Sequence, residues 1–334
     1  MTARSNIDKQ RLAQFPPAIF ILGPTASGKT ELALHLCREF PCEIISVDSA
    51  QVFRDMNIGT AKPDDATLTE FPHRLVNLIS PTERYSAARF CADALPAMRE
   101  ISSAGRIPLL VGGTMLYVKA LREGLAALPA ADPAVRATIE HDAKQRGWPA
   151  LHADLALLDP ISAARLKPTD AQRIQRALEI IQISGQSVTS LFEQQLAAPL
   201  PYRCLALALT PSDRARLHLR IATRFDTMLA QGLIDEVVGL RQKFPLTADM
   251  PSMRCVGYRQ VWEILEGISP GAELRDRGVF ATRQFAKRQL TWLKSLPNLE
   301  YLDPFDSSLR SVVMLRVADF LSTNNQSYKQ VADA

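Results

Sequence analysis

Residues 23–30 read GPTASGKT, the pattern G-x-x-x-x-G-K-[ST], and they constrain the fold more than any other stretch of this chain. Before them runs AIFIL (Ala18 to Leu22), short, unbroken and apolar, as in a strand buried on both faces of a parallel sheet. After them comes ELALHLCREF, where Leu32, Leu34, Leu36 and Phe40 suit a well-covered helix. Strand, glycine-rich turn and helix, in that order, make a phosphate cradle. The glycines let backbone amides curl around a polyphosphate, and the helix N-terminus adds positive potential. Lys29 supplies a point charge, expected to face solvent rather than to pack, and the Thr30 hydroxyl can ligate Mg²⁺.

The next strand, EIISVD (Glu43 to Asp48), closes a βαβ unit. RIPLLVGGT (Arg106 to Thr114) and CLALALT (Cys204 to Thr210) repeat the strand pattern on either side of a long gap. The gap reads as helices: ADPAVRATIEHDAKQRG opens on an Asp-Pro start, and DAQRIQRALEIIQISG has helical apolar spacing and closes on Gly185. The expected fold class is α/β, a P-loop NTPase-like parallel-sheet core with a helical insertion domain. Its expected divisions are a first core part at 15–124, the insertion at 125–201, a mostly helical continuation of the core at 202–321, and a polar, fraying tail at 322–334. With 334 residues, 47% of them hydrophobic, there is material for more than one core. Five scattered cysteines without a C-x-x-C pair read as reduced thiols, not as a zinc site or a disulfide framework. Neither a signal peptide nor a membrane span is evident, so the expected location is the cytoplasm.

An ATP-hydrolysing P-loop protein needs an acid closing another strand, but RIPLLVGGT ends in glycines and threonine. The acid at a strand's carboxyl end is Asp48, placed where open α/β sheets bind ligands. Two readings of it stand: it acts on an acceptor substrate, or it caps a following helix. Arg220 and Arg224 lie one helical turn apart. They either face the phosphates and neutralise a leaving group or form a solvated, salt-bridged helix face. The net charge is only +4, yet Arg173 and Arg176 share a helix face, and Lys287, Arg288 and Lys294 gather around Trp292. Basic residues on helices are by default a solvated surface, and Trp292 by itself suggests core more than a stacking platform.

Several strings together resemble one family, the tRNA dimethylallyltransferases (tRNA isopentenyltransferases). They are GPTASGKT, SVDSAQVFRDMNIGTAKP (46–63), PTERYSAARFCADA (81–94), VGGTMLYVKAL (111–121), RCVGYRQVWEIL (254–265) and ATRQFAKRQLTWLK (281–294). The resemblance implies transfer of a dimethylallyl group from its diphosphate to the exocyclic amine of the adenosine 3′ of the anticodon in tRNA, with Mg²⁺. It assigns Asp48 as the proton acceptor and Gly23, Pro24, Thr25, Ala26, Ser27, Gly28, Lys29 and Thr30 to the diphosphate, with Thr30 also on the metal; Arg220 and Arg224 join them as candidates.

Contacts to the anticodon stem-loop are expected, by the same resemblance, from Asp48, Ser49, Ala50 and Gln51, from Thr114 and Arg136, and from Gln172, Arg173, Ile174, Gln175 and Arg176. Two further groups are Arg254, Cys255, Val256, Gly257, Tyr258 and Arg259, and Lys287, Arg288, Gln289, Leu290, Thr291, Trp292, Leu293 and Lys294. Phe53 stands where the family usually has tyrosine, which could alter a hydrogen bond near the site, and PHRLVN (72–77) is expected to be a surface or supporting variation. Nothing resembles the zinc-finger extension of some eukaryotic members, so a bacterial-type enzyme is expected; separately, a monomer without membrane partners is expected. The alternatives are a P-loop kinase of a small metabolite and a prenyltransferase of free adenine nucleotides.

Overall fold

The computed structural model describes residues 15–124, 128–194 and 200–332, with side chains to 322. The boundary expected at 125 lies outside the described residues. Two compact units emerge, one made of 1–120 with 201–334 and the other of 121–200.

The larger unit is built on six parallel strands, β1 (Pro17–Leu22), β2 (Cys42–Val47), β3 (His73–Arg74), β4 (Ile107–Gly112), β5 (Arg203–Leu209) and β6 (Glu300–Leu302), in the order β3-β2-β4-β1-β5-β6. The central strand β1 is flanked by β4 and β5, and Ala18 to Leu22 are fully buried, which is why that run carries no polar alternation. Helix α1 (Lys29–Glu39) leaves the turn after β1 and packs Leu32, Ala33 and Leu36 on Ile19, Ile21, Leu109 and Leu207. The short helix α2 (Asp65–Glu70) precedes β3, and α3 (Ala87–Ser103) and α4 (Met115–Glu123) bracket β4. Since all strands run one way, the ends of β1, β2 and β4 bring Gly23, Asp48 and Gly113 to one edge of the sheet.

The smaller unit holds α5 (Pro133–Arg146), α6 (Trp148–Leu158), α7 (Pro160–Ala164), α8 (Ala171–Ser184) and α9 (Val188–Glu193) around Ile139, Leu151, Leu155, Ile174 and Leu178. Asp132 caps α5 ahead of Pro133, and Gly185 ends α8 in the left-handed conformation, both as their residue types anticipate. Its polar centre is Glu179, fully buried, which takes two hydrogen bonds from Arg136, one from Arg176 at 2.7 Å and one from the Asp132 N–H at 2.9 Å. Burial alone would raise its pKa; these hydrogen bonds bring it below the ordinary glutamate value. Truncating it strands two guanidinium groups, so Glu179→Ala should cost about 3 kcal/mol in a denaturant melt, and the loss should be absent from an Arg173→Ala control.

After β5 the larger unit continues with α10 (Arg214–Ala230), α11 (Leu233–Lys243), α12 (Tyr258–Leu265), α13 (Leu274–Leu293) and α14 (Leu309–Ala332). These segments follow the expectation of a mostly helical continuation, except that β6 adds an edge strand. β3 and β6, two and three residues long, are too short to show periodicity, and tertiary pairing alone creates them. The tail expected to fray continues the backbone of α14 to Ala332, since glutamine, lysine and alanine are all good helix formers. Among the described residues no helix is long and apolar enough to cross a membrane.

Candidate active site

A cavity of about 380 Å³ opens at the carboxyl edge of the sheet in the larger unit. One wall is the turn between β1 and α1. Gly28 there has φ +87°, so the backbone calls for glycine, and a Cβ on it would sit 3.4 Å from the Arg220 guanidinium, in ordinary contact. As the N-cap of α1 it offers no side-chain acceptor, which leaves the first N–H groups of the helix for a ligand. Ala26 holds φ +63°, and the buried Ser27 hydroxyl has no partner among the described residues. The uncapped amides fit a phosphate oxygen.

Lys29 departs from expectation. It is half-buried at the cavity wall, and its amine donates to the Pro24 carbonyl at 2.6 Å. Burial first, then the charge of Arg224, lowers its pKa to about 7, with Arg220 adding to the fall and Asp48 opposing it. Arg224 also lines the cavity, and burial lowers its pKa too. The solvated-face reading of the arginine pair therefore fails for Arg224, while Arg220 is exposed beside Gly28. Three cations thus converge where Asp48 is the nearby anion, an arrangement completed by a polyanion.

The sign of the pH effect follows. Between about pH 7 and 8.5 the unfolded chain holds a proton that Lys29 lacks when folded, so the ligand-free protein gains stability as pH rises, by at most about 1.4 kcal/mol per pH unit. Lys29→Met should flatten that slope in melting curves. Lys62, lowered to about 8, shares the upper part of this window, and at higher pH the half-buried cysteines, raised to between about 11 and 12, contribute as well.

Asp48 follows β2 and lies in the same cavity. Its Oδ1 accepts from the N–H groups of Ala50 at 2.8 Å and Gln51 at 3.3 Å; it caps a turn, and no helix follows, so the helix-cap reading is wrong in that form. Thr114 accepts from the Ser49 N–H at 3.1 Å, tying the end of β4 to this turn. Ser49, Ala50 and Gln51 line the cavity with it.

The remaining wall comes from α10, α13 and the segment before α12. Ile221, Arg224, Phe225 and Met228 fall at helical spacing on one face of α10 and enter the cavity, with Phe285, Arg288, Arg254, Cys255 and Val256 opposite or beside them. The apolar members escaped sequence reading; the 221-224-225-228 spacing was the signal that could have found them. Gln289, expected on the tRNA surface, is instead buried: it accepts from the Thr25 N–H at 2.8 Å and donates to the Gly113 carbonyl at 3.0 Å, locking the phosphate turn against β4.

Other expected tRNA contacts are corrected by burial. The side chains of Ile174, Tyr258 and Leu293 are core, because each sits on the inward stripe of its helix, and Gly257 is buried at the start of α12. Arg136 and Arg176 are engaged with Glu179, Arg173 pairs with Asp170, and Gln175 donates to Glu140, while Gln172 is exposed. Arg259 pairs with Glu263. Lys287, Arg288 and Thr291 are exposed on α13 and Lys294 is exposed just after its end, Leu290 is half-buried, and Trp292, read as core, is 39% exposed. Phe53 is buried among Val52, Met56 and Ile79, away from the cavity, so its missing hydroxyl touches no substrate-facing bond. Within PHRLVN, His73 and Arg74 form β3 and His73 reaches the cavity, where burial lowers its pKa, so the supporting alternative holds there rather than the surface one.

The family model for IPP transferase matches residues 51–296, and that for isopentenyl transferase matches 17–76. The chain belongs to the tRNA dimethylallyltransferase family. This transferase is 58% identical over 310 residues to the tRNA dimethylallyltransferase of Dechloromonas aromatica, covering 93% of this chain and 99% of the relative. It is 60% identical over 292 residues to that of an Azoarcus species, covering 86% and 91%. Among solved structures it resembles the tRNA isopentenylpyrophosphate transferase of Bacillus halodurans, with 33% identity, a TM-score of 0.67 and coverage of 95% and 99%. A eukaryotic dimethylallyltransferase acting on tRNA gives a TM-score of 0.77 at 26% identity, covering 92% and 80%.

For a metal, no cluster of three His, Cys, Asp or Glu side chains exists among the described residues. Mg²⁺ needs none, since it keeps several waters and takes one or two protein oxygens together with phosphate. Thr30, an oxygen donor lining the cavity at the phosphate turn, fits that pattern.

Proposed function

We propose that this transferase moves a dimethylallyl group from dimethylallyl diphosphate to the exocyclic amine of the adenosine 3′ of the anticodon in tRNA. The observation that supports this reading is a single cavity in which Lys29 and Arg224 stand at the phosphate turn, Asp48 at the neighbouring strand end, and Phe225, Met228 and Phe285 supply an apolar wall. The bond from the prenyl carbon to the diphosphate oxygen breaks with its electrons leaving on the diphosphate, and the adenine nitrogen forms the new bond. Asp48 takes the proton that the nitrogen loses. Because the adenine lone pair is delocalised, close approach and stabilisation of the departing diphosphate provide most of the acceleration. Mg²⁺, held by Thr30 when bound, would neutralise phosphate charge. The protein is further proposed to work as a cytoplasmic monomer.

Radiolabelled dimethylallyl diphosphate, offered with unmodified tRNA or with free adenine nucleotides, tests the acceptor. Label on free nucleotides alone would replace tRNA as the substrate, and phosphate transfer from ATP to a small molecule would make the protein a kinase. The exposed cations make a second prediction. Replacing Lys287 and Lys294 with alanine should weaken tRNA binding and reduce its salt dependence by up to about one logarithmic slope unit per lost phosphate contact. Affinity for dimethylallyl diphosphate should be unchanged, and an unchanged salt slope would remove these lysines from the interface.

A further inference from the structure

Glu236, on α11, is not part of the cavity wall, yet its carboxylate is committed to one loop segment that is. Oε2 accepts from the N–H groups of Asn57 at 2.9 Å and Ile58 at 2.8 Å, and Oε1 accepts from Gly59 at 3.2 Å and from the Tyr258 hydroxyl. Charge-assisted bonds to three consecutive amides hold a loop far more firmly than its own turns would. The loop lies directly on the aromatic ring: a Cβ on Gly59 would fall 2.5 Å from Tyr258 Cε2. Lys62 reinforces the segment by donating to the Phe53 carbonyl at 2.7 Å and to the side chains of Asn57 and Asn77.

From this clamp, hydrogen bonds continue to the candidate base. Gln51 Nε2 donates to the Ala61 carbonyl at 3.4 Å, Gln51 Oε1 accepts from Ser46 Oγ at 2.9 Å, and the Gln51 N–H donates to Asp48 Oδ1. In the other direction Tyr258 directly follows the segment that puts Arg254, Cys255 and Val256 into the cavity. One carboxylate therefore ties together two walls that face the acceptor. We propose that Glu236 is a positioning residue, which fixes the Asn57–Gly59 segment on Tyr258 and, through Gln51, sets the orientation of Asp48. The proposal rests on the reading of Asp48 as the proton acceptor.

Glu236→Gln keeps the shape but sets an amide NH₂ against backbone donors, so the turn carrying Asp48 loosens. The expected result is a fall of roughly 10- to 100-fold in the single-turnover rate with both substrates saturating, while affinity for dimethylallyl diphosphate changes less than about twofold. A general brace would not produce the second signature: in an Asp48→Asn background, Glu236→Gln should cost less than about threefold, because the group it orients no longer accepts a proton. If Glu236→Gln does not fold, Tyr258→Phe, which keeps the backbone bonds and removes one of the two donors to Oε1, carries the same cycle with a single loss of about threefold to tenfold. A parental rate in the single variant, or losses that multiply in the double variant, overturns the role of Glu236 alone. A parental rate for Asp48→Asn overturns both readings together.

Discussion

Asp48→Asn should transfer the prenyl group roughly 10² to 10⁴ times more slowly than the parent in a single turnover, while binding both substrates. Asparagine retains the oxygen that accepts from Ala50 and Gln51, so the turn after β2 keeps its shape. What it loses is the capacity to take a proton. A residue that only capped this turn would tolerate the change almost without penalty, since asparagine and aspartate serve such turns about equally. The two roles thus differ by orders of magnitude in one experiment. Rapid-quench transfer with saturating substrates is the measurement, because slow tRNA release could hide the chemical step in steady state. A parental rate would leave Asp48 as a structural residue.

Lys29→Met should separate activity from stability in opposite directions. Turnover falls by about 10² to 10³, the scale of removing one preorganised charge from a developing anion, and calorimetry shows weaker binding of dimethylallyl diphosphate. The ligand-free protein, however, should melt at a higher temperature near neutral pH. Methionine fills similar space without placing a third positive charge beside Arg224 and Arg220, and without the desolvation that lowers the lysine to about 7. A protein selected only for stability would not keep this lysine. If the variant melts lower and binds the diphosphate as well as the parent, Lys29 is a packing element and the phosphate turn has no part in turnover.

Much of the fold was legible in local sequence, for reasons particular to each element. Ala18 to Leu22 read as a doubly buried strand because five successive apolar residues leave no solvent face, and Glu43 to Asp48 read as a strand from its β-branched residues. The phosphate turn was legible because backbone curvature and charge require glycine and lysine at fixed offsets, and the helical segment because Asp132, Pro133 and Gly185 mark helix ends. By contrast β3 and β6 are strands only because a neighbour pairs with them.

Sequence by itself thus determined the strand-turn-helix cradle, the acid at the end of β2 and the alternation of sheet and helical segments, all of which depend on neighbours within a few residues. It could not tell which of many polar side chains face inward, since that depends on groups far apart in the chain. Gln289 meets Thr25 across 264 residues, Glu236 meets Asn57 across 179, and Arg136 meets Glu179 across 43. Those pairings buried Gln289 and committed Arg136 to an internal carboxylate, which Arg176 reaches from one helical turn away, while the packed turn half-buried a lysine expected in solvent. Burial and long-range hydrogen bonding are properties of the packed chain, and only packing brings the partners within bonding distance.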